Sequence, residues 1–471
     1  MLHVSTRGEA PALSFSDALL AGLARDGGLY LPRTWPKLDA AMIAGFSGQP
    51  YAAVAETVIG ALSDGDVEPK ALGRMIHEAY ATFRHPAVCP LTQIGDNLFV
   101  LELFHGPTLA FKDVAMQLLG RLMDHVLGQR GQRATIIGAT SGDTGGAAID
   151  AFKGLKSVDV FILYPHGRVS DVQRRQMTTV EAENVHAIAV EGTFDDCQNL
   201  LKAMFNHHAF RDEIGLSGVN SINWARIAAQ VVYYFTAAVS LGAPHRKVSF
   251  AVPTGNFGDI LAGWVAKQMG LPIERLTIAT NSNDILTRTL QSGVYEMRGV
   301  AATTSPSMDI QISSNFERLL FEAYGRDGAA VKGLMQSLQQ SGRFEIAPEP
   351  LARIRAEFDA AAMSETEIAA EIRETWTESG YLLDPHSAIG VGAARQRLAR
   401  DPATPVVVLG TAHPAKFPAA VEAACGVVPK LPAHLADLME RPERFSVLPN
   451  EIGTIERFVR ERARAVRGAA A

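Results

Sequence analysis

One lysine stands where a buried strand is expected to pass into a helix. Lys112 lies in HGPTLAFKD, residues 105–113, after the apolar residues 98–104. The apolar run predicts a strand, Gly106 and Pro107 predict a turn, and Asp113 suits the free N–H groups at a helix start. Apolar residues then recur at helical spacing at Val114, Leu118, Leu119, Leu122, Met123 and Val126.

A lysine held beside a core in this way can lose its water and its proton and become a nucleophilic amine. The alternative is a surface lysine whose stem covers apolar residues while its ammonium group stays in water. The loops that follow in the chain favour the amine at Lys112.

The composition excludes several classes of protein. The chain has 471 residues, enough for two or three domains, with 47% hydrophobic and 20% charged residues. A net charge of -6 gives no basic footprint for nucleic acid. The first residues lack an apolar signal region, and the apolar pattern at 231–243 is too short to span a bilayer. Cys89, Cys197 and Cys425 are far apart, which indicates a reducing compartment without disulfides or a zinc site. We expect a cytosolic protein with a small-molecule ligand.

Beyond residue 88, short apolar runs alternate with helical patterns. Such alternation predicts an α/β protein whose parallel sheets are covered by helices, with ligands beyond the carboxyl ends of the strands. The predicted strands are 135–137, 158–163, 185–190, 248–252, 276–279 and 406–409. The predicted helices between them include 146–153, 171–182, 195–206 and 224–241.

Two loops after predicted strands could hold an anion. Residues 138–146, GATSGDTGG, offer backbone N–H groups at a helix start, although neither a P-loop nor the dinucleotide fingerprint is matched. A tight crossover turn is the alternative. Residues 253–259, PTGNFGD, also precede a helix, and here the alternative is a turn in which Asn256 and Gly258 supply positive φ.

Other polar residues leave alternatives open. Thr411 follows a predicted strand and could place a hydroxyl in the same crevice, whereas His413 and Lys416 are expected to be ordinary loop residues. Arg226, one turn into a helix, could hold a phosphate or carboxylate, or be a structural ion-pair partner. His386 precedes a helix and is expected to pack there.

Several motifs together carry a resemblance to a known family. HGPTLAFKD at 105–113, SGDTG at 141–145, SINWARI at 221–227 and GNFG at 255–258 resemble the threonine synthase family. These are pyridoxal-phosphate enzymes of fold type II, similar to the β subunit of tryptophan synthase. The match is to the branch with an additional N-terminal domain. The resemblance implies the last step of threonine biosynthesis, in which O-phospho-L-homoserine and water give L-threonine and phosphate.

The resemblance also implies a role for each matching residue. Lys112 would be the catalytic residue and form the Schiff base with pyridoxal phosphate. The cofactor phosphate and the pyridine nitrogen would be held by Gly255, Asn256, Phe257, Gly258 and Thr411. The substrate carboxylate would be held by Ser141, Gly142, Asp143, Thr144 and Gly145. For the substrate phosphate we expect Arg226 with Ser221 and Asn223. No metal is expected.

We expect three units: a small, mostly helical N-terminal domain at 1–88, a large cofactor-binding α/β domain at 89–130 and 245–471, and a small α/β domain at 131–244. The sequence leaves the oligomeric state open between a monomer and a dimer. Three rival functions are a phospholyase that releases 2-oxobutyrate and ammonia, a β-replacing enzyme such as cysteine synthase, and a phosphate-binding module without catalysis. The last would have no use for Lys112 as a Schiff-base lysine.

Overall fold

A computed structural model describes residues 1–140 and 142–468 of the chain. Within these residues the larger sheet has six strands, parallel except for the antiparallel edge strand Leu91–Gly95. Its strands lie in the spatial order Phe358–Ala362, Ile273–Thr280, Val248–Pro253, Val406–Gly410, Leu98–Glu102 and Leu91–Gly95. The structure confirms the strands predicted at 248–252, 276–279 and 406–409. They were predictable because buried parallel strands have continuous apolar sequences.

The second sheet has five described strands, all parallel. They lie in the order Ser446–Pro449, Val185–Glu191, Val158–Pro165, Ala134–Ala139 and Leu216–Ser217. Two smaller antiparallel pairs join His3–Ser5 to Tyr30–Pro32 and Val294–Glu296 to Arg343–Glu345.

Helices cover both faces of the sheets. The α-helices of the described residues are Phe15–Ala21, Ala40–Ala44, Tyr51–Ser63, Pro69–Tyr80, Lys112–Gln129, Asp143–Phe152, Asp171–Thr178, Phe194–Asn206, His208–Glu213, Trp224–Ser240, Gly258–Gln268, Ile285–Ser292, Phe316–Ala323, Gly328–Ser341, Pro348–Glu357, Glu365–Ser379, Pro385–Arg400, Pro418–Cys425, Ile452–Arg462 and Arg464–Gly468. The 3-10 turns are Pro306–Met308, Pro414–Lys416 and Ala433–Leu435.

The C-terminal part differs from the expected division of the chain. Residues 245–471 were all expected to belong with the larger sheet, yet the strand Ser446–Pro449 pairs in parallel with Val185–Glu191 of the smaller one. The helix Ile452–Arg462 buries Ile455 and Val459 in the same apolar cluster. A short strand with half-exposed residues carries no long apolar run, so its partner strand was not evident from the sequence.

The helix Trp224–Ser240 also departs from the expected division. It was expected within 131–244, but it packs mainly on the helices Gly258–Gln268, Tyr51–Ser63 and Lys112–Gln129. Almost every side chain of this helix is buried, so it belongs to a core shared with these helices.

Among residues 1–140 and 142–468, no helix is long and apolar enough to cross a membrane.

Candidate active site

Lys112 is the first residue of the helix Lys112–Gln129, and only 8% of it is exposed. The loop 103–111 that leads to it is tied to the neighbouring strand end, where Leu103 N donates to Gly410 O at 3.0 Å and Phe111 N donates to Thr411 O at 2.8 Å. The predicted strand-to-helix junction is therefore confirmed, and the lysine is fixed beside the core.

Asp113 closes this loop rather than capping the helix. Its carboxylate accepts hydrogen bonds from Thr108 N at 2.7 Å and Thr108 Oγ1 at 2.6 Å. A Cβ on Gly106 would lie 2.5 Å from Asp113 Cβ, so the turn requires glycine at 106. Burial raises the pKa of Asp113 to about 7, although the Thr108 hydrogen bonds oppose the shift.

The lysine amine faces one carboxylate. Lys112 Nζ lies 3.5 Å from Asp143 Oδ2 and 4.8 Å from the centroid of the Phe111 ring. Burial lowers the pKa of Lys112, and the charges of Lys416 and Arg226 lower it too, while Asp143 raises it. The surroundings as a whole favour the amine that the sequence predicts.

Asp143 opens the helix Asp143–Phe152 and is almost fully buried. Lys416 Nζ lies 2.8 Å from its Oδ1, and Gln173 Nε2 donates to the same oxygen at 2.9 Å. Ser307 Oγ donates to Oδ2 at 3.4 Å. Burial opposes ionisation, yet the charges of Lys416 and Lys112 hold the pKa of Asp143 well below its usual range. Asp143 is thus a fixed negative charge between two lysines.

Lys416 is not the ordinary loop residue that the sequence suggested, so that prediction is wrong. It ends the turn Pro414–Lys416 and is fully buried. In addition to its ion pair with Asp143, its Nζ donates to Thr108 O at 2.8 Å and Gln176 Oε1 at 3.1 Å. The one available signal was its position after a parallel strand, at the sheet edge where Lys112 also lies.

The loop before Asp143 satisfies part of its own backbone. Thr140 Oγ1 accepts hydrogen bonds from Gly142 N at 2.9 Å and Gly145 N at 3.0 Å. A Cβ on Gly145 would meet Thr140 Cγ2 at 2.5 Å, and Gly142 has a φ of 142°. Thr144 is half-buried at the same helix start, while Ser141 lies outside the described residues. This loop has fewer free N–H groups than four glycines suggested.

The loop 254–257 precedes the helix Gly258–Gln268, which no described side chain caps. Positive φ occurs at Phe257, at 63°, and not at Asn256 or Gly258 as the turn alternative required. The Phe257 ring packs 5.3 Å from the Phe316 ring, so this residue offers its backbone rather than its side chain.

Neighbouring side chains hold the carbonyl groups of this loop. Ser313 Oγ donates to Gly255 O at 2.7 Å, and Asn315 Nδ2 donates to Asn256 O at 2.9 Å. A Cβ on Gly255 would meet Ser307 O at 2.8 Å. With the carbonyls occupied and the helix uncapped, the first N–H groups of the helix are suited to an anion such as the phosphate of pyridoxal phosphate.

Thr411 fits the ring nitrogen of the same cofactor. Its backbone is tied to Phe111 and to Ser387, whose Oγ accepts from Thr411 N at 3.1 Å. Its Oγ1 is buried and has no hydrogen-bond partner among the described residues. A buried hydroxyl without a partner is costly, and a heterocyclic nitrogen would satisfy it.

Arg226 is a buried cation without an acidic partner in the described part of the chain. Its Nη1 donates to Val219 O at 3.1 Å, and its Nε has no described partner. Burial lowers the pKa of Arg226 to about 10. The ion-pair alternative is therefore not observed, and an anionic ligand would compensate this charge.

The other two residues expected near the substrate phosphate differ from Arg226. Asn223 Oδ1 accepts from Ala225 N at 3.0 Å, and its Nδ2 donates to Leu19 O at 2.8 Å. Asn223 thus caps its helix and binds the N-terminal unit instead of facing a ligand. Ser221 is half-buried, and its carbonyl would lie 3.8 Å from a Cβ on Gly258, which brings this segment beside the loop 254–257.

His386 was expected only to pack, but it also supports the site. Its Nε2 accepts from Ser307 N at 3.3 Å, so its Nδ1 carries the hydrogen donated to Asp384 Oδ2 at 2.7 Å. Ser307 in turn contacts Asp143 and the Gly255 loop. No sequence signal connected residues 307 and 386, because their contact depends on the folded sheet edge.

Known proteins are similar to this chain over nearly its whole length. Three family models match: "Threonine synthase N terminus" over residues 2–80, "Pyridoxal-phosphate dependent enzyme" over 88–411, and "Threonine synthase, C-terminal" over 387–459. A threonine synthase of Pseudomonas aeruginosa is 54% identical over 460 residues, which cover 98% of each chain.

Two solved structures superpose on nearly the whole chain. The pyridoxal-phosphate-bound threonine synthase from Brucella melitensis has a TM-score of 0.97 and 66% identity, covering 98% of this chain and 100% of that one. The threonine synthase from yeast has a TM-score of 0.93 and 41% identity, covering 98% of each chain. The fold, the cofactor class and the relatives agree, and this chain belongs to the threonine synthase family of pyridoxal-phosphate-dependent enzymes.

Proposed function

We propose that this chain converts O-phospho-L-homoserine and water into L-threonine and phosphate. The observation that carries the proposal is the buried Lys112 amine, set among an uncapped helix start, an unpartnered Thr411 hydroxyl and an uncompensated Arg226 cation. The amine suits an aldehyde, the hydroxyl suits a ring nitrogen, and the helix start and the cation suit phosphate groups. Family membership supports the same reaction.

The residues suited to hold pyridoxal phosphate lie on three loops. We infer that Lys112 attaches the cofactor, that the backbone of 255–258 holds its phosphate, and that Thr411 meets its ring nitrogen. When bound, pyridoxal phosphate supplies an electron sink that acidifies the C–H bonds near the substrate amine.

Lys112 is assigned the proton transfers. Its ordinary pKa is 10.5, and burial lowers it, so a larger fraction is amine at neutral pH. A free amine beside the substrate can take the proton from Cα and act again at Cβ. Asp143 stays ionised between two lysines. It keeps the Lys112 side chain directed toward the start of the helix Asp143–Phe152.

Thr411 limits the strength of the electron sink. A neutral hydroxyl cannot hold a ring nitrogen protonated as a carboxylate would. Among the described residues, the carboxylate that accepts a hydrogen bond from the Lys112 amine is that of Asp143. It lies on a different loop from Thr411. This arrangement disfavours transamination as a side reaction.

We place the substrate carboxylate at the loop 141–145, where the Thr144 side chain is half-buried at the helix start. The substrate phosphate is placed at Arg226, with the adjacent Ser221. Asn223 is left to its structural role, since its amide already contacts two backbone groups.

Product identification tests the reaction. The chain, loaded with pyridoxal phosphate, is given O-phosphohomoserine, and the products are followed by mass spectrometry. Threonine and phosphate in equal amounts are expected, and Lys112→Met, which keeps the apolar stem, should abolish turnover. Oxobutyrate with ammonia would assign the chain to the phospholyases, and no turnover with bound cofactor would refute the substrate.

Arg226→Ala tests the phosphate site. We expect the KM for O-phosphohomoserine to rise about 30-fold or more, which corresponds to the 2 kcal/mol or more lost when a buried charged contact is truncated. The Kd of pyridoxal phosphate should change little. Arg226→Lys, which keeps the charge, should lose less. An equal loss of cofactor and substrate binding would instead give Arg226 a structural or cofactor role.

We further propose a cytoplasmic location and no nucleic-acid partner. Cys89, Cys197 and Cys425 are all unpaired, as suits a reducing compartment, and the net charge is -6. Light scattering on the purified chain distinguishes a monomer from a dimer.

A further inference from the structure

Two buried lysines share one carboxylate unequally. Lys416 Nζ lies 2.8 Å from Asp143 Oδ1, whereas Lys112 Nζ lies 3.5 Å from Asp143 Oδ2. The shorter distance is that of a close ion pair, whereas the longer one is at the limit of a hydrogen bond. The stronger partner of Asp143 is therefore Lys416 and not the lysine assigned to catalysis.

The surroundings of Lys416 suit an ammonium group. An ammonium has three N–H donors. Lys416 Nζ lies within 3.1 Å of three oxygen atoms: it forms an ion pair with Asp143 Oδ1 and donates to Thr108 O and Gln176 Oε1. These acceptors come from three different segments, and Thr108 belongs to the loop that ends at Lys112. Lys112 Nζ, in contrast, has a single described acceptor at 3.5 Å.

We propose that Lys416 is a positioning residue for the reaction. Its ammonium group binds Asp143 and places a second positive charge near Lys112, so that Lys112 releases its proton and is available as an amine. The inference rests on the proposed function, in which Lys112 moves the proton at Cα. Lys416 itself is fully buried under the loop 103–111 and acts through Asp143.

The charged groups around Lys112 come from four elements. Asp143 favours the ammonium form, while Lys416 and Arg226 disfavour it, and burial does so most strongly. The charge of Lys112 also lowers the pKa of Asp259, in the helix Gly258–Gln268. The charge of Lys416 lowers the pKa of Asp113. Removal of Lys416 would leave Asp143 with Lys112 as its remaining cation.

The test measures the protonation of Lys112 directly. The full-length chain without cofactor is treated with an amine-reactive reagent across a pH series, and labelling of the Lys112 peptide is quantified by mass spectrometry. Lys416→Met should move the labelling midpoint of Lys112 upward by about 1 pH unit or more, as expected when an opposite charge within a few ångströms is no longer shared. The acid limb of kcat of the holoenzyme, which reports the substrate complex in which Lys112 is a free amine, should move in the same direction.

Three further variants separate charge from packing. Lys416→Gln keeps an N–H donor for Thr108 O, so it should fold like the native chain while showing the same upward shift. Lys430→Met, at an exposed lysine of the same C-terminal region, should leave the midpoint unchanged. The double variant Asp143→Asn with Lys416→Met removes both charges and should return the midpoint to the native value or below.

An unchanged or lowered midpoint in Lys416→Gln would overturn the proposal, as would an upward shift that persists in the double variant. Uniform loss of activity at every pH, with an unmoved midpoint, would mean that Lys416 only supports the fold. If the native chain fails to convert O-phosphohomoserine, the proposed function fails, but the labelling midpoints still decide whether Lys416 controls Lys112.

Discussion

The site has two strand-to-helix loops that each place an aspartate at a helix start, and the two aspartates behave in opposite ways. Asp143 begins its helix, and Asp259 is the second residue of the helix Gly258–Gln268. Both are at most 7% exposed. The nearby lysine charges overcome burial and hold the pKa of Asp143 well below its usual range, whereas burial raises the pKa of Asp259 to about 7.

The pKa values of Asp143 and Asp259 shift in opposite directions because the two carboxylates have different partners. Asp143 contacts two lysines. Asp259 Oδ1 accepts hydrogen bonds from the hydroxyls of Tyr233 and Tyr234, while its Oδ2 is buried without a described partner. A hydroxyl supplies a dipole but no net charge, so it compensates burial only in part.

The backbones of the two loops differ as well. Before Asp143, the hydroxyl of Thr140 already accepts from two N–H groups of the loop. Before Asp259, the helix has no described side-chain cap. The first loop thus contributes a fixed negative side chain beside Lys112, whereas the second leads into a helix start without a described side-chain cap. Similar glycine-rich sequences therefore present different chemical groups.

Asp143→Asn should have the largest effect, because it removes the carboxylate that both lysines share. Lys416 would remain buried and without a charged partner, which typically costs about 3–5 kcal/mol. The free energy of unfolding, measured with denaturant, should fall by about that amount. A loss below about 1 kcal/mol would show that the pair is not needed for stability.

Gly255→Ala should have the next largest effect, on the cofactor. The added Cβ would lie 2.8 Å from Ser307 O, a backbone atom, so the loop must shift. Overpacking costs about 1–3 kcal/mol, which corresponds to a Kd for pyridoxal phosphate raised about 5- to 150-fold. Fluorescence titration of the cofactor measures this change.

The control for Gly255→Ala lies in the other loop. Gly146→Ala places a Cβ 3.6 Å from Gln176 Cβ, an ordinary contact, at a helical position that favours alanine. Its Kd for pyridoxal phosphate should equal that of the native chain. If both variants bind the cofactor normally, the phosphate site is not at residues 255–258.

Residues that act through local chemistry were predictable from the sequence. Lys112 followed from an apolar run, a turn and a helical repeat that are contiguous in the chain, and the structure confirms its junction. The central strands followed from the same principle. The first helix cap was not predictable: the sequence predicts that Ser16 caps a helix over 17–24, but the helix is Phe15–Ala21, and Ser14 is the residue that accepts from Asp17 N.

Residues that act through distant partners were not predictable. Lys416 donates to Thr108 O across 308 positions of the chain, and Ser307 contacts His386 across 79. Such contacts depend on which strands are neighbours in the sheet, and a single sequence does not give that order. Asn223 shows the converse, because a residue from a family motif turned out to hold a helix start and the N-terminal unit.

The effect of Asp259→Asn on stability should depend on pH. Because burial raises the pKa of Asp259 from 3.8 to about 7, the folded chain binds this proton more tightly than the unfolded chain. The resulting stabilisation is complete below pH 3.8 and is lost as the pH rises to about 7. Asparagine keeps the oxygen that accepts from the tyrosines but does not titrate.

The measurement is the difference in unfolding free energy between pH 5 and pH 8. The native chain should lose more stability over this interval than Asp259→Asn. Asp195→Asn, at an exposed carboxylate in the first turn of the helix Phe194–Asn206, should keep the native pH dependence. An equal loss in all three chains would mean that the tyrosine hydroxyls compensate burial fully, and the contrast between Asp259 and Asp143 would then lie in the loop backbones alone.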